Sequence, residues 1–292
     1  MPHEIDLNHL GRPGVICAFE VDGLVVDPGP ESCLQTLLEG LQTDLRVLLL
    51  THIHLDHAGA TGALVRSHPD LTVYVHERGA PHLADPSKLL ESAARLYGDD
   101  MDRLWGETLP VPEERIQALS GGETVEGMRV AYTPGHASHN VSYFHEDAGD
   151  VYVGDMAGVR APGHDFTIAP TPPPDIDVEA WLTSVDEIEA FGAGAVCMTH
   201  FGRHEDAAVQ LDRVRESLRE RADKAREKSA EEFAEWSEAQ VRDAVDPETA
   251  EVLIQAAPPD QLGLGLRRYW DKKAKDSASL PNPSRAERED AP

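Results

Sequence analysis

The chain has 292 residues, and its 26 Lys and Arg against 53 Asp and Glu give a formal net charge of −27. That length allows one large domain, or one domain with an appendage, and a core large enough to need no disulfide staples. The acidic balance argues against a nucleic-acid partner, which requires a basic surface. No apolar run approaches the ~18 residues of a membrane span. We therefore expect neither nucleic acid nor a membrane as a partner.

The N-terminus and the cysteines indicate where the protein resides. The first ten residues, MPHEIDLNHL, contain neither a basic nor an apolar segment of the kind found in secretory signals. The cysteines, Cys17, Cys33 and Cys197, are odd in number and widely spaced, which is typical of reduced thiols. These features predict a cytoplasmic protein.

Up to about residue 201, short β-branched runs alternate with turns and helical stretches. In chain order the pattern first predicts two strands around the Asp22-Gly23 turn within 15–27, a helix at 30–41, a strand at 46–50, a helix at 58–68 and a strand at 71–76. A helical stretch at roughly 87–105 follows. The pattern then predicts strands at 128–133, 140–144 and 150–154, a helix at 177–191 and a strand at 194–200. Hairpins followed by mixed strands and helices indicate a layered α/β or α+β domain.

The character changes after residue 202. A charged helical stretch at 204–245, without a strand signal, precedes a helix at 246–257 that begins with Asp246 as N-cap and Pro247 at its first position. A short segment follows at 262–273. We expect a domain at 1–202, a helical appendage at 203–273 that forms a wall of the site or a homodimer surface, and a disordered, polar tail at 274–292.

The densest group of chemically active residues lies in the segment THIHLDHAG, residues 51–59, directly after the apolar strand at 46–50. Positions i and i+2 of an extended segment point the same way, so His52 and His54 can converge on one ion. The turn into the next helix lets Asp56 and His57 face a second point nearby. Imidazole and carboxylate together suit zinc or another first-row divalent metal.

Further candidates follow the ends of other apolar runs. His136 lies in TPGHASHN, Asp155 in VYVGD, His200 in CMTH and Asp27 in GLVVD. Helix and strand formation do not require a polar residue at these places, whereas loops at one edge of a sheet can build a shared site. The sequence therefore predicts a metal site assembled from five strand ends.

These motifs, in this order and at these spacings, resemble the five-motif signature of the metallo-β-lactamase-fold superfamily over residues 15–202. The residues that carry the resemblance are Asp27, His52-x-His54-x-Asp56-His57, His136, Asp155 and His200. The resemblance implies a four-layer αββα sandwich with a dinuclear centre at one edge of two sheets.

The resemblance also implies a role for each residue. The first metal would be held by His52, His54 and His136. The second would be held by Asp56, His57 and His200. Asp155 would bridge the two metals, and Asp27 would fix a ligand histidine through a hydrogen bond. The cofactors expected are two divalent ions, zinc foremost, with iron and manganese permitted by the same ligands.

The details favour one branch of the superfamily. Zinc β-lactamases lack the bridging aspartate seen at Asp155, and flavodiiron proteins carry Glu where this chain has His54. RNA-processing members carry large insertions or a basic arm, which does not match this chain, since its net charge is −27 and Asp155 and His200 are close in sequence. The chain is more similar to the branch of glyoxalase II, lactonases and other ester or thioester hydrolases, whose TPGHT-type motif resembles TPGHASHN.

The expected function is hydrolysis of a small ester, thioester or lactone by a metal-bridging hydroxide. Asp56 and Asp155 are the predicted catalytic carboxylates, and Asp56 would orient the hydroxide and pass a proton to the leaving group. Two metals, two carboxylates and a hydroxide leave a charge of about +1, which predicts a small-molecule substrate with a small, local anion. The Pro-rich loop 158–175 would wall the pocket, with Arg160 and His164 as candidate substrate contacts.

Two alternatives remain open at this point. The first is a mononuclear iron dioxygenase resembling the persulfide-oxidising members of the same superfamily, which share HxHxDH and a similar TPGH motif. The second is a non-catalytic binding or assembly protein that pairs through its C-terminal helices.

Overall fold

The computed structural model describes residues 1–279, with side chains through residue 276, and contains two mixed six-stranded sheets. The strands of the first sheet are, in order across it, β1 His3–Asp6, β2 Cys17–Val21, β3 Leu24–Val26, β4 Val47–Leu49, β5 Thr72–His76 and β6 Ile116–Leu119. The first three pair antiparallel, and β3 to β6 are parallel. Val26 lies opposite Leu49 in the register that joins β3 and β4.

The second sheet repeats the arrangement in the second half of the fold. Its strands are β7 Thr124–Val125, β8 Met128–Tyr132, β9 Val141–His145, β10 Asp150–Gly154, β11 Ala195–Met198 and β12 Gly202–Glu205, in the order β12-β11-β10-β9-β8-β7. Only β10 and β11 pair in parallel.

Eleven α-helices within residues 1–279 surround the two sheets. They are α1 Leu34–Gly40, α2 Leu55–Ala58, α3 Thr61–Ser67, α4 Ala80–Ala84, α5 Ser87–Tyr97, α6 Met101–Trp105, α7 Val178–Glu189, α8 Ala207–Glu227, α9 Ala230–Ala244, α10 Pro247–Ala256 and α11 Pro259–Ser279. No helix within residues 1–279 is long and apolar enough to cross a membrane.

Three apolar layers hold these elements together, because alternate residues of each strand point to opposite faces. The inner faces of the two sheets meet in one core, which includes Phe19, Leu49, Tyr143 and Tyr152. A second core joins the outer face of the first sheet to α1 and α3. A third joins the outer face of the second sheet to α7 and the C-terminal helices. This αββα layering confirms the predicted fold class.

The C-terminal helices share the third core with α7 and β11. The break between α8 and α9 is set by a capping box, in which Ser229 accepts from the backbone of Glu232 and the Glu232 carboxylate accepts from the backbone of Ser229. The predicted start of α10 is confirmed, since the Asp246 side chain accepts from two backbone N–H groups and Pro247 occupies the first position.

Several elements differ from the expectation. A strand, β12, begins at Gly202, although the sequence there has no strand signal. Its backbone pairs with the buried strand β11. The helical stretch expected at roughly 87–105 consists of two α-helices, which a short 3-10 turn at residues 98–100 joins. The last helix runs to Ser279, six residues into the expected tail, and residues 280–292 of that tail lie outside the described residues.

Candidate metal centre

The candidate ligands lie at one edge of the two sheets. Asp27 directly follows β3, and residues 51–57 follow β4. Three further residues, His136, Asp155 and His200, follow β8, β10 and β11. Both sheets therefore deliver side chains to the same place, which brings together all the residues that the sequence predicts as ligands.

Close packing at the end of β10 directs Asp155 into this edge. Gly154 has a φ of +56°, and a Cβ built there would overlap Oγ1 of Thr51. The register of β10 against β11 shifts at the same place. Only glycine adopts this conformation in so little space, so the glycine in VYVGD is a requirement of the site.

Three histidines form the first group of converging ligand atoms. His54 Nδ1 lies 3.0 Å from His52 Nε2 and 3.0 Å from His136 Nε2. All three ligand atoms lie within 4.8 Å of one another. His52 and His136 are buried, and His54 opens on a cavity.

Asp56, His57 and His200 form the second group, and their ligand atoms also lie within 4.8 Å of one another. Asp56 Oδ2 is 3.3 Å from His200 Nε2 and 3.8 Å from His57 Nε2. His57 and His200 are buried, whereas the Asp56 side chain is 23% exposed. Asp56 is therefore the carboxylate that a cavity ligand reaches first.

Asp155 lies between the two groups. Its Oδ2 is 3.2 Å from His136 Nε2 in the first group, and its Oδ1 is 3.2 Å from His57 Nε2 in the second. The same Oδ1 is 3.6 Å from His200 Nε2. One carboxylate thus presents one oxygen to each group.

The remaining ring nitrogens hold the histidines in place. His136 Nδ1 donates to the carbonyl of Pro170 at 2.9 Å, and His200 Nδ1 donates to the carbonyl of Val15 at 2.7 Å. Since a carbonyl only accepts, each Nδ1 carries the proton and each Nε2 is turned toward the cluster. This is the arrangement that orients metal-binding histidines.

Asp27 accepts four hydrogen bonds from residues in and beside the cluster. Its Oδ1 accepts from the backbone N–H of Thr51, and its Oδ2 accepts from the Thr51 hydroxyl, the Thr199 hydroxyl and His57 Nδ1, all at 2.7–2.9 Å. Its ligand atom also lies within 4.8 Å of those of His52 and His57. Because its oxygens already accept these bonds, Asp27 fits a residue that positions His57 better than a ligand.

The charges of the cluster suit a bound cation. Burial, reinforced by neighbouring histidines, lowers the pKa of His52 well below its usual value and that of His54 to about 4, which leaves their lone pairs free. Burial opposes ionisation of Asp155, yet the histidines around it outweigh that effect and hold its pKa below the usual range.

Two buried polar atoms make the fit to a metal specific. His57 Nε2 and Asp155 Oδ1 lie 3.2 Å apart, and beyond this contact neither has a hydrogen-bond partner among the described residues. Burial disfavours protonation of His57, but the carboxylates of Asp155, Asp56 and Asp27 outweigh it and raise its pKa. Unsatisfied buried groups are costly, and a cation between these atoms would satisfy both. The residues present therefore fit the expected metal site.

A cavity of about 290 Å³ opens above the cluster, with His54, Asp56, Asp155 and His200 at its floor. Pro170 and residues 172–174 form one wall, so part of the loop 158–175 does line the site. The other walls come from α5, α6 and residues 255–262, together with His9. Sequence reasoning missed α5 and α6 as a wall, because a helical pattern does not say which surface the helix covers.

Arg160 and His164, the predicted substrate contacts, lie neither in the cluster nor among the residues that line the cavity. Arg160 is 7% exposed and donates to the carbonyl of His164 and to the side chains of Gln210 and Asp165. His164 lies near Thr249 at the start of α10, with 3.3 Å between Nε2 and Oγ1. Both residues fasten the loop to the C-terminal helices.

Comparisons with known proteins agree with this architecture. The family model for the metallo-beta-lactamase superfamily matches residues 20–200. The metallo-beta-lactamase fold-containing protein ST1585 of Sulfurisphaera tokodaii is 30% identical over 148 residues, which are 48% of this chain and 54% of that protein. A crystal structure of ST1585 has a TM-score of 0.68 at 23% identity, covering 92% of this chain and 98% of that one, which shows the shared fold.

Two further relatives carry functional names. The probable metallo-hydrolase YqgX of Bacillus subtilis is 36% identical over 138 residues, or 46% of this chain and 60% of that protein. A hydroxyacylglutathione hydrolase of a Synechococcus species is 30% identical over 150 residues, or 50% of this chain and 46% of that protein. The chain thus spans between 46% and 60% of the length of these three curated relatives.

Proposed function

The chain belongs to the metallo-β-lactamase superfamily, and on that premise we propose that it is a dinuclear metal-dependent hydrolase of a small ester, thioester or lactone. The observation that carries the proposal is the convergence of five histidines and two aspartates beneath one cavity, with the outward nitrogens of His57, His136 and His200 fixed by hydrogen bonds. The relative named as a hydroxyacylglutathione hydrolase supports an acyl substrate.

In this proposal the residues of each group would hold one ion. His52 Nε2, His54 Nδ1 and His136 Nε2 would bind the first. Asp56, His57 Nε2 and His200 Nε2 would bind the second, with one oxygen of Asp155 toward each. Nitrogen and carboxylate ligands in this number suit zinc, and they also accept iron or manganese.

When bound, such ions supply a water whose pKa is lowered toward neutrality and a Lewis acid for the carbonyl of the substrate. The protein supplies orientation. Asp56 is the most exposed carboxylate of the cluster and faces the cavity, so its free oxygen can hold the attacking water and carry a proton to the leaving group. The side chain of Asp155 is 5% exposed and presents one oxygen to each group, so it fixes the two groups relative to each other.

The proposal extends to the location of the protein. Cys17, Cys33 and Cys197 are all free and buried, and reduced thiols are usual in the cytoplasm. We therefore retain the cytoplasm as the proposed compartment.

A hydrolysis assay on metal-loaded protein tests the proposal. We expect the protein to cleave at least one member of a panel of thioesters, esters and lactones, and to lose that activity after chelation. Asp56→Asn should abolish turnover, whereas Asp243→Asn, at an exposed position of α9, should not change it. Turnover that persists after complete metal removal would overturn the proposal.

A further inference from the structure

We propose that the larger part of the substrate is uncharged and apolar, and that α5, α6 and the start of α11 form its binding wall. This inference rests on the proposed hydrolase function and specifies its substrate class. It differs from the small anion that the charge of the metal cluster predicts, because it considers the walls of the cavity as well as its floor.

The side chains above the floor are mostly apolar. Leu89 and Leu96 of α5, with Leu104 and Trp105 of α6, line one side of the cavity. Residues 172–174 and Leu262 line the other side. At about 290 Å³, the cavity is close to the lower end of the ~300–1,000 Å³ typical of ligand pockets. A short alkyl or aryl group therefore suits it better than a peptide-sized one.

The part of the wall that the structure describes offers no lysine or arginine as a counter-charge for an anionic substrate. Asp100 at the rim is paired with Arg103, with 2.9 Å between its Oδ1 and Nε, so that this charge is compensated. A substrate carboxylate placed against these walls would lose its hydration without gaining a partner. The net charge of −27 further disfavours the approach of anions.

Three polar side chains in the walls, those of Tyr97, Gln255 and Gln261, take part in hydrogen bonds within the protein. Tyr97 of α5 donates its hydroxyl to Gln261 Oε1 of α11 at 3.3 Å. Gln255 Nε2 donates to the carbonyl of His9, and Gln255 Oε1 accepts from Arg12. The Tyr97–Gln261 bond joins α5 to α11, and the apolar surface remains the main contact for a ligand.

Two thioesters with the same acyl group test the proposal on metal-loaded enzyme. Hexanoyl-N-acetylcysteamine is neutral, whereas hexanoyl-glutathione carries the carboxylates of the tripeptide. We expect kcat/KM at least about tenfold higher for the neutral thioester. Within a neutral series from acetyl to hexanoyl we expect a gain of about fourfold per methylene. Equal or faster cleavage of the glutathione thioester would overturn the proposal.

A substitution in the wall gives a second test. Leu96→Lys places a cation among the apolar side chains. It should lower kcat/KM for the neutral thioester at least about tenfold, and it should reduce the ratio of kcat/KM for the neutral thioester to that for the glutathione thioester. Val209→Lys, at a position 49% exposed on α8, is the matched control and should change neither value. An unchanged preference in Leu96→Lys would show that this wall does not select the substrate.

A binding measurement separates this inference from the proposed function. Trp105 lines the cavity, so its fluorescence should change on addition of the hydrolysis-resistant N-hexylacetamide and less on addition of S-hexylglutathione, with Trp105→Phe as the signal control. If N-hexylacetamide binds preferentially but no thioester, ester or lactone is cleaved, the hydrolase proposal fails and the cavity assignment stands. If the fluorescence responds only to S-hexylglutathione, or to neither probe, the cavity assignment is wrong.

Discussion

Replacing Asp27 with asparagine tests whether this buried carboxylate positions the metal ligands. Its Oδ2 accepts three hydrogen bonds and its Oδ1 accepts one, from the backbone of Thr51. Asparagine can keep its carbonyl oxygen at the Oδ2 position, but its NH₂ group then meets the Thr51 N–H, donor against donor. One bond of the four is lost, and a buried donor is left unsatisfied.

The loss of that bond should lower the free energy of unfolding of the metal-free protein by about 1–3 kcal/mol. His57 keeps its bond to the residue, now to a neutral oxygen, so its orientation is held less strongly. Loss of such a partner lowers metal affinity by about 10–100-fold. Asp27→Ala removes both acceptor oxygens, and with them all four hydrogen bonds, and should destabilise the fold further, so asparagine is the more informative change.

Chemical denaturation of the metal-free protein measures the first effect, and competition with a zinc chelator measures the second. Asp243→Asn is the matched control, because an exposed aspartate on α9 should change stability by no more than about 0.5 kcal/mol. If Asp27→Asn binds zinc as tightly as the unmodified protein, the argument that Asp27 positions His57 is refuted.

Three other substitutions test separate parts of the account. Asp155→Ala should reduce the metal bound at saturation, by atomic absorption, because both groups lose an oxygen ligand. Gly154→Ala should lower the free energy of unfolding by more than about 2 kcal/mol, since the new Cβ would overlap Thr51. Gly122→Ala is the control: Gly122 also has a positive φ, but a Cβ there meets no atom within 4 Å. This change should lower the free energy of unfolding by only about 1 kcal/mol. Arg160→Met should lower the free energy of unfolding by about 2–4 kcal/mol and leave kcat/KM unchanged. A large loss of kcat/KM without destabilisation would instead support Arg160 as a residue that contacts the substrate.

The alternation of short apolar runs with helical stretches predicted a layered α/β or α+β domain, whereas the four-layer sandwich and the roles of the ligands were implied by the resemblance to the metallo-β-lactamase-fold superfamily. Short apolar runs mark the buried strands, and polar residues such as His52 and Asp155 directly follow them. Loops at one edge of a sheet can build a shared site, so these positions predicted a common site, and the resemblance assigned its residues to two groups. The structure brings them together in two sets around Asp155.

Features that depend on long-range packing could not be read in the same way. The sequence GRHE of β12 has no strand preference of its own, and it extends because β11 offers a free edge. In the sequence, Arg160 lies in a Pro-rich loop, where a solvent-exposed cation is expected. In the structure its guanidinium is buried and donates to Gln210 of α8, which is distant along the chain. The cavity wall likewise combines α5, α6 and residues 255–262, whose meeting no local pattern encodes.

The measurement that tests the central claim most directly is the metal content of protein purified without added metal or chelator. Two complete ligand groups sharing Asp155 predict about two ions per chain, either zinc alone or zinc and iron together. A value near one ion per chain would contradict the dinuclear account, and one iron with little else would instead favour an iron-dependent oxygenase, for which oxygen uptake with a persulfide would be the next assay.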